Sequence, residues 1–386
     1  MSAFHNPVAV HFGAGVFDAA AAMVPDLCYV IASPGALARG LVDRFRARAR
    51  NVEGVYAAAA PNPTLRAVRD AAAQIGAIRS QTLVAIGGGS ALDTAKAIAA
   101  AQASPAPFWL TDHLRDGRPL PSPFQPPRLI MIPTTAGTGS EMTMWATLWD
   151  DEARTKFSLA HEALYAAAAF VDPELTLSVP PGVTIATALD ALSHAMEAVW
   201  NRRANPVSDA LAAQAIALIP GALRDALANP ATLAAREALS RASALAGLAF
   251  SNTRTALAHS ISYPLTAHCG LPHGLACSLT LPEILEWNAA HDPARIAPIV
   301  RALGCASVTA AVDCLARLHE DLRLSDLVQP YVTVSRVEAL GACFIAPGRA
   351  ENNIRPVDNE RAKALLVASL RRLWLSPNDH LKPEGR

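Results

Sequence analysis

An α/β domain joined to an all-helical domain is the fold class this sequence predicts, on three observations. Short apolar runs alternate with helical patterns up to about residue 180. Beyond that point strand signals become rare and long helical patterns dominate. The double proline Pro180-Pro181 stands where the character changes. Strands alternating with helices argue for a parallel sheet, because each parallel crossover needs a long connection that is usually helical. Paired prolines mark a break between segments. The expected division is residues 1–181 for the α/β domain and 182–386 for the helical one.

In order along the chain, Leu27–Ala32 (LCYVIA) has the composition of a buried strand, and Ser33-Pro34-Gly35 follows as a turn before a helical stretch, Ala36–Ala49. Gly54–Ala59 is a second strand candidate. The turn Pro61-Asn62-Pro63-Thr64 then opens a helix to about Ile75. Thr82–Ile86 is a third strand, running directly into Gly87-Gly88-Gly89-Ser90 and an Ala-rich helix, Ala91–Ala101. Leu129–Ile132 is a fourth. The helical half shows patterns over Thr184–Trp200, Ser208–Leu227 and Thr232–Ser251, with further helices towards the C-terminus. Its Ala-rich stretches are good helix formers rather than low complexity.

Composition narrows the function classes. The chain has 386 residues, 52% hydrophobic and 17% charged, enough apolar surface for a large core and too much for intrinsic disorder. Lys+Arg and Asp+Glu are both 33, so the formal net charge is zero. Such a chain carries no global electrostatic footprint for nucleic acid or an anionic membrane. The apolar stretch Ala163–Val171 is far short of the ~18 residues a membrane helix needs. The opening MSAFHNPVAVHFGAG lacks a basic region followed by an apolar one, so a cytoplasmic protein is expected. The six cysteines form no C-x-x-C pair and are expected as reduced, mostly buried thiols.

Two loops carry chemistry. Gly87-Gly88-Gly89-Ser90 ends a strand and opens a helix. Glycines there let the backbone approach a ligand, and the free N–H groups with the helix dipole favour a phosphate. A tight strand-to-helix turn is the alternative reading. There is no G-x-G-x-x-G fingerprint and no P-loop lysine, which disfavours a kinase or ATPase. A second loop, Pro133-Thr134-Thr135-Ala136-Gly137-Thr138-Gly139-Ser140-Glu141, follows the fourth strand with glycines and hydroxyls. Both loops would line the crevice where open α/β sheets bind ligands, which supports a dinucleotide.

Asp190 and His194 are four apart in a helical pattern and so share a face. His259 and His273 lie fourteen apart, with His268 between them. One carboxylate plus imidazoles suits Fe(II) or Zn(II) with a position left for substrate. A surface or capping Asp–His pair is the alternative. Gly274 directly follows His273 in an apolar context, an odd setting for a merely structural histidine.

Taken in order, several segments resemble the iron-containing (group III) alcohol dehydrogenases. They are Phe12-Gly13-Ala14-Gly15, Pro61–Thr64, Gly87–Lys96, Pro133–Glu141, Val171–Leu175, Asp190–Glu197, Ala204–Asp209 and Pro272–Gly274, which together span nearly the whole chain. The resemblance implies a dehydroquinate synthase-like fold, with a dinucleotide-binding domain, a helical metal-binding domain and an active site between them. Carried over by position, the metal ligands are Asp190, His194, His259 and His273. Gly87, Gly88, Gly89 and Ser90 would hold the pyrophosphate, with Asp93 and Lys96 on the following helix. Thr134, Thr135, Thr138 and Ser140 would sit near the ribose and nicotinamide, and Lys156 near the cofactor ribose. A homodimer is implied as well.

Two departures refine the expectation. Many members carry an acid after the first strand to bind the adenosine ribose; here Ser33-Pro34-Gly35 occupies that turn with Arg39 nearby, which leaves NAD(H) and NADP(H) both open. Many carry a histidine four residues after the third ligand; here it is Tyr263, a candidate proton donor. The strings His259–Thr266, Ser251–Arg254 and Trp145–Asp150 resemble the branch that reduces phosphonoacetaldehyde. In that reading Arg254 clamps a phosphonate or carboxylate, with Trp145 beside the substrate, and Asn353, next to Asn352 and Arg355, completes the anion site. The expected activity is reduction of a small anionic aldehyde to its primary alcohol, phosphonoacetaldehyde to 2-hydroxyethylphosphonate. The alternatives are a general short-chain alcohol dehydrogenase, a reductase of a carboxylated substrate resembling maleylacetate reductase, and, remotely, a non-catalytic nucleotide-binding protein.

Overall fold

The protein is described by a computed structural model covering residues 3–374, apart from 25–26, 50, 105, 107–108 and 154. Among the described residues, strands β1 (Ala9–Phe12), β2 (Cys28–Ala32), β3 (Val52–Tyr56), β4 (Thr82–Gly87), β5 (Arg128–Pro133) and β8 (Ala168–Val171) form one parallel sheet in the order β1-β8-β5-β4-β2-β3. Strands β6 (Trp145–Asp150) and β7 (Thr155–Ala160) form a separate antiparallel hairpin. β4 is central and buried at all six positions, as a strand covered on both faces must be. Alternation along it divides the packing. Leu83 and Ala85 face a core with Leu92, Ile98, Leu129 and Met131, while Val84 and Ile86 face one with Phe17, Phe45, Ile130 and Phe170.

The predicted parallel α/β architecture followed by helices is the observed one, with local differences. Strand β1 and the β6–β7 hairpin were not expected. β8 is the end of the apolar run Ala163–Val171, too short to cross a membrane but long enough for a buried strand. The stretch Ala36–Ala49 is two helices, Pro34–Ala38 and Leu41–Arg46, because Gly40 takes φ 70 between them. β3 begins and ends earlier than Gly54–Ala59, since its ladder with β2 runs only from Val52 opposite Cys28 to Tyr56 opposite Ile31.

From Pro181 onwards the described chain is helical. The helix Pro181–Val199 starts on a proline, which suits a first-turn position. It packs with the helices Pro206–Ala228 and Leu233–Thr253 around Leu189, Leu192, Met196, Trp200, Ile216 and Phe250. Helix Pro206–Ala228 is long and apolar enough to cross a membrane by length and composition. In the fold it buries Ala212, Ala215, Ile216, Ile219 and Leu223 against its neighbours and carries Asp209, Arg224 and Asp225. Helices Leu257–Cys269 and His273–Ser278 complete the wall that faces the sheet.

Candidate metal centre and cofactor cleft

The C-terminal ends of three adjacent strands bring the predicted loops together. Ser33 follows β2, Gly87–Ser90 follows β4 and Pro133–Glu141 follows β5. Ser33 N–H donates to the Ile86 carbonyl (3.1 Å) and Thr134 N–H to that of Gly87 (2.9 Å), so the strand ends are laced to one another. Helix Gly89–Gln102 opens on this edge and points its N-terminus into it. A side chain at Gly89 would overlap Thr138, so only glycine lets the two loops meet. Such a strand-end crevice holds phosphate through backbone N–H groups.

A cavity of about 650 Å³ separates this edge from the helical domain. Its walls include Ser90, Asp93, Thr138, Ser140, Trp145 and Lys156 on one side and Asp190, His194, His259, Tyr263 and His273 on the other. The helical side is a cluster of ligand atoms. Asp190 Oδ1 lies 3.5 Å from His259 Nε2 and 3.8 Å from His194 Nε2. The ring of His194 stacks between those of Phe250 (4.1 Å between centroids) and His259 (4.6 Å). Asp190 Oδ1, His194 Nδ1 and His259 Nε2 are all buried without a hydrogen-bond partner. Buried polar atoms are almost always paired, and the two of these that face each other, Asp190 Oδ1 and His259 Nε2, are accounted for by a cation; on His194 it is Nε2, not the orphaned Nδ1, that faces Asp190. Burial pushes the imidazole of His194 down to about 4, and burial together with the Lys156 ammonium pushes that of His273 well down. Both are therefore neutral at pH 7, as a metal ligand must be.

Gly274 makes the convergence possible. A Cβ there would run into the Ala186 carbonyl and stand 3.1 Å from Asp190 Cβ. Helix His273–Ser278 thus lies directly against helix Pro181–Val199, which sets His273 beside Asp190.

Glu197 supports the centre from behind. It follows Asp190 and His194 on the same helix face and is fully buried. Its carboxylate accepts from His259 Nδ1 (2.7 Å) and from the backbone N–H groups of Ala256 (2.7 Å), Ala258 (2.5 Å) and His259 (3.2 Å). It thereby caps the helix carrying His259 and holds a proton on that ring's Nδ1, with Nε2 turned towards Asp190; burial pushes this imidazole down, but the Cys277 sulfur, Glu197 and Asp190 outweigh it and hold it well above its ordinary value. A carboxylate behind a ligand histidine is the usual outer support of a metal site. The sequence motif assigns Glu197 no role, although its i, i+7 spacing from Asp190 places it on the ligand face of the helix.

The cleft is also cationic. Lys156 Nζ lies 3.9 Å from the centre of the Tyr263 ring, and Arg349 Nε–H donates to Tyr263 Oη (2.9 Å). Arg349 reaches across to Ser158 Oγ (2.7 Å), linking its loop to the β6–β7 hairpin. A side pocket of about 250 Å³ opens beside the main cavity and shares Trp145, Thr255 and Arg349 with it; Arg254 and Ser158 line it too. Burial pushes the phenol of Tyr263 up, but Lys156 and Arg349 outweigh it and bring it to about 8.

Comparison with known proteins gives the fold and site a lineage. Residues 7–173 match the family description iron-containing alcohol dehydrogenase, and residues 184–370 match the Fe-containing alcohol dehydrogenase family, C-terminal. The chain belongs to the iron-containing alcohol dehydrogenase family. It is 34% identical over 379 residues to a sulfoacetaldehyde reductase of Bilophila wadsworthia, covering 92% of this chain and 96% of that protein. It is 38% identical over 330 residues to long-chain-alcohol dehydrogenase 1 of Geobacillus thermodenitrificans, covering 82% and 81%. A solved sulfoacetaldehyde reductase from Bifidobacterium kashiwanohense, in complex with NAD+, superposes with a TM-score of 0.87 at 31% identity, over 96% of this chain and 99% of that one. This iron-containing dehydrogenase is therefore an NAD-dependent oxidoreductase acting on CH–OH groups, of a family that uses NAD(H) and a divalent metal.

Within this member of the family, not every predicted residue falls where the sequence suggested. Asn353 is fully buried away from the cleft, exchanging hydrogen bonds with Asn288 (2.8 and 3.1 Å), so it is a strut and not a substrate contact. Arg355 lies over the Trp287 ring and donates to the Trp287 carbonyl, also away from the cleft. Asn352 donates to the carbonyls of Thr255 (2.8 Å) and Gly348 (3.0 Å) and so fixes the loop bearing Arg349. Lys96 does not face the cofactor crevice. Its buried ammonium is taken up by the Ser140 carbonyl and hydroxyl, Thr143 Oγ1 and the Trp145 carbonyl. Asp93 accepts from Ser140 Oγ (2.6 Å) and Thr147 N–H (2.8 Å) at the cavity wall. Ser33, Gly87, Gly88, Thr134 and Thr135 lie along the strand-end edge rather than around the main cavity. Arg254 lines the side pocket, and Arg349, which sequence reasoning missed, bridges the two spaces.

Proposed function

We propose that this dehydrogenase reduces a small aldehyde with an anionic head, phosphonoacetaldehyde, to 2-hydroxyethylphosphonate with NADH. One observation carries the reading. Lys156 and Arg349 flank Tyr263, Arg254 and Arg349 line the adjoining side pocket, and among the described residues none of the three is ion-paired with a carboxylate. Clustered cations held without counter-charge are costly, and an anionic ligand offsets that cost. A phosphonate can carry a second negative charge that a sulfonate or carboxylate cannot, which suits a pocket lined by two guanidinium groups with an ammonium nearby. The likeness to sulfoacetaldehyde reductases favours a sulfonate as the second reading.

A divalent metal at Asp190, His194, His259 and His273 supplies Lewis-acid polarisation of a carbonyl, and the nicotinamide supplies the hydride. The chain's own residues arrange the rest. Glu197 keeps His259 in its ligand tautomer. Arg349 Nε–H occupies a lone pair of Tyr263 Oη, which leaves the phenolic proton free to point into the cleft and to be given to the nascent alcohol oxygen. Arg254 and Arg349 hold the anionic head in the side pocket and so fix the distance of the carbonyl from the centre. NADH is favoured over NADPH because Arg39, the cation nearest the Ser33 turn, already donates to the carbonyls of Gly35 (3.1 Å) and Leu175 (2.9 Å) and to Ser178 Oγ (2.9 Å).

The test is initial-rate kinetics with metal-loaded enzyme and NADH on phosphonoacetaldehyde, sulfoacetaldehyde and propanal. The expected kcat/KM for the phosphonate exceeds that for propanal by ~100-fold or more, about 3 kcal/mol, and Arg254→Ala narrows that ratio at least tenfold. A sulfonate preference selects the second reading. Equal rates on all three refute the anion site.

A further inference from the structure

We propose that Cys277 is a metal donor in this enzyme, competing with His194 for the fourth position of the centre when the ion accepts sulfur. The inference rests on the metal-centre reading above and adds to it a ligand that the family resemblance did not suggest.

Cys277 follows His273 by four residues in the helix His273–Ser278, so the two share a face. The thiol is fully buried, and its sulfur lies 3.5 Å from His273 Nε2 and 3.6 Å from Nδ1. One ligand atom each from Asp190, His259, His273 and Cys277 can be chosen so that all four lie within 4.8 Å of one another. In tetrahedral zinc, with bonds of about 2.0–2.1 Å to nitrogen and about 2.3 Å to sulfur, neighbouring S and N donors stand about 3.6 Å apart, and N and O donors about 3.4 Å. The Asp190–His259 separation of 3.5 Å is an edge of that size; the sulfur, nearly equidistant from both nitrogens of His273, lies off the line of the Nε2 lone pair, so sharing an ion with Nε2 requires the His273 ring to turn towards it. Two buried atoms of this set, Asp190 Oδ1 and His259 Nε2, have no hydrogen-bond partner, so the cluster is aimed at an ion by more than the cysteine alone.

His194 is the rival. Its ring is held flat between Phe250 and His259, and its Nε2 stands 3.8 Å from Asp190 Oδ1. Ligand softness then decides between the two. Imidazole suits Fe(II) and Zn(II) alike, whereas a thiolate favours Zn(II) and, among spectroscopic probes, Co(II). When the sulfur binds, its S–H bond breaks, an S–metal bond forms with the sulfur electron pair, and the proton leaves to solvent.

Chelator-stripped protein loaded anaerobically with Co(II) tests this by absorption spectroscopy, with no reliance on turnover. The expected wild-type spectrum has visible ligand-field bands and a near-ultraviolet sulfur-to-cobalt charge-transfer band. Cys277→Ala and the isosteric Cys277→Ser keep the visible bands and lose the charge-transfer band, whereas His194→Ala keeps both. The apparent zinc Kd rises at least tenfold in Cys277→Ala, while that for manganese, which takes sulfur poorly, is unmoved. Thermal unfolding confirms that each variant is folded. Visible bands without charge transfer in wild type, or a Cys277→Ala spectrum that overlays on it, overturn the sulfur ligand alone. The absence of any cobalt bands overturns the metal centre itself.

Discussion

Replacing Glu197 by glutamine separates the support of the metal centre from the centre's own ligands. The change is isosteric, so it opens no cavity, but it exchanges one acceptor oxygen for an NH2 group. Oε2 now accepts from Ala256 N–H and His259 Nδ1, and Oε1 from Ala258 N–H and His259 N–H. Whichever way the amide turns, two buried donors face another donor. At about 1–3 kcal/mol for each unsatisfied buried group, the expected destabilisation is about 2–6 kcal/mol. If the amide oxygen stays with the backbone donors, His259 loses the partner that fixes its tautomer, and zinc affinity falls by about 10–100-fold. Urea unfolding of the metal-free protein and chelator competition for zinc read the two effects separately. The pH dependence follows from the same contacts. Burial raises the Glu197 carboxyl, but the His259 ring and the amide donors outweigh it and hold it below its ordinary value. A depressed carboxyl stabilises fully above the unfolded pKa of about 4.3 and loses that contribution only as pH falls through the lower folded value. This contribution is therefore flat from neutrality down to pH about 5, whereas the glutamine variant lacks it at every pH. A glutamine variant within about 0.5 kcal/mol of wild type and within twofold in zinc affinity would refute the reasoning.

Three further predictions follow from contacts already described. Reduction should slow as pH rises through about 8, where the Tyr263 phenol loses the proton it is expected to donate; Tyr263→Phe should lower kcat and remove that alkaline limb from the profile. Gly274→Ala should force helix His273–Ser278 off helix Pro181–Val199, costing about 1–3 kcal/mol in urea unfolding and leaving the purified protein depleted in metal by elemental analysis. Because Arg39 is occupied by Leu175 and Ser178, kcat/KM with NADH should exceed that with NADPH by at least ~10-fold; equal use of both would mean that Arg39 releases those contacts for a 2′-phosphate.

The parts of the fold legible in the sequence are those whose burial is symmetric. β4 and β5 are buried along nearly their whole length, so they show as continuous apolar runs closed by glycine or proline chemistry, and their positions match the reading within a residue. β1 is an edge strand with mostly exposed positions, and AVHF carries too short a signal to stand out. The β6–β7 hairpin does alternate in burial along Trp145–Asp150, but its turn lacks the Asn-Gly or Asp-Gly pair that announces a tight hairpin. The break at Gly40 was legible in principle, since a lone glycine inside a helical pattern is where a left-handed residue costs least.

The site divides along similar lines. Asp190, His194 and Glu197 lie on one helix, so periodicity alone places them on one face, and Gly274 announces a close helix contact because no side chain fits there. The substrate side is assembled differently. Arg349 comes from a loop held to Thr255 by Asn352, crosses to Ser158 on the hairpin and meets Tyr263 on a third element. No spacing links residues 158, 255, 263 and 349, and so Asn352 and Asn353 could not be told apart from a ligand pair by sequence. Their observed roles show why: one amide ties the loop that carries the cation and the other locks it to Asn288. Selectivity for an anionic head therefore depends on how rigidly that loop is pinned as much as on the charge it carries. A guanidinium free to swing out to solvent would offset little of its own desolvation, whereas one fixed between Tyr263 and Ser158 meets an incoming anion with its geometry already set.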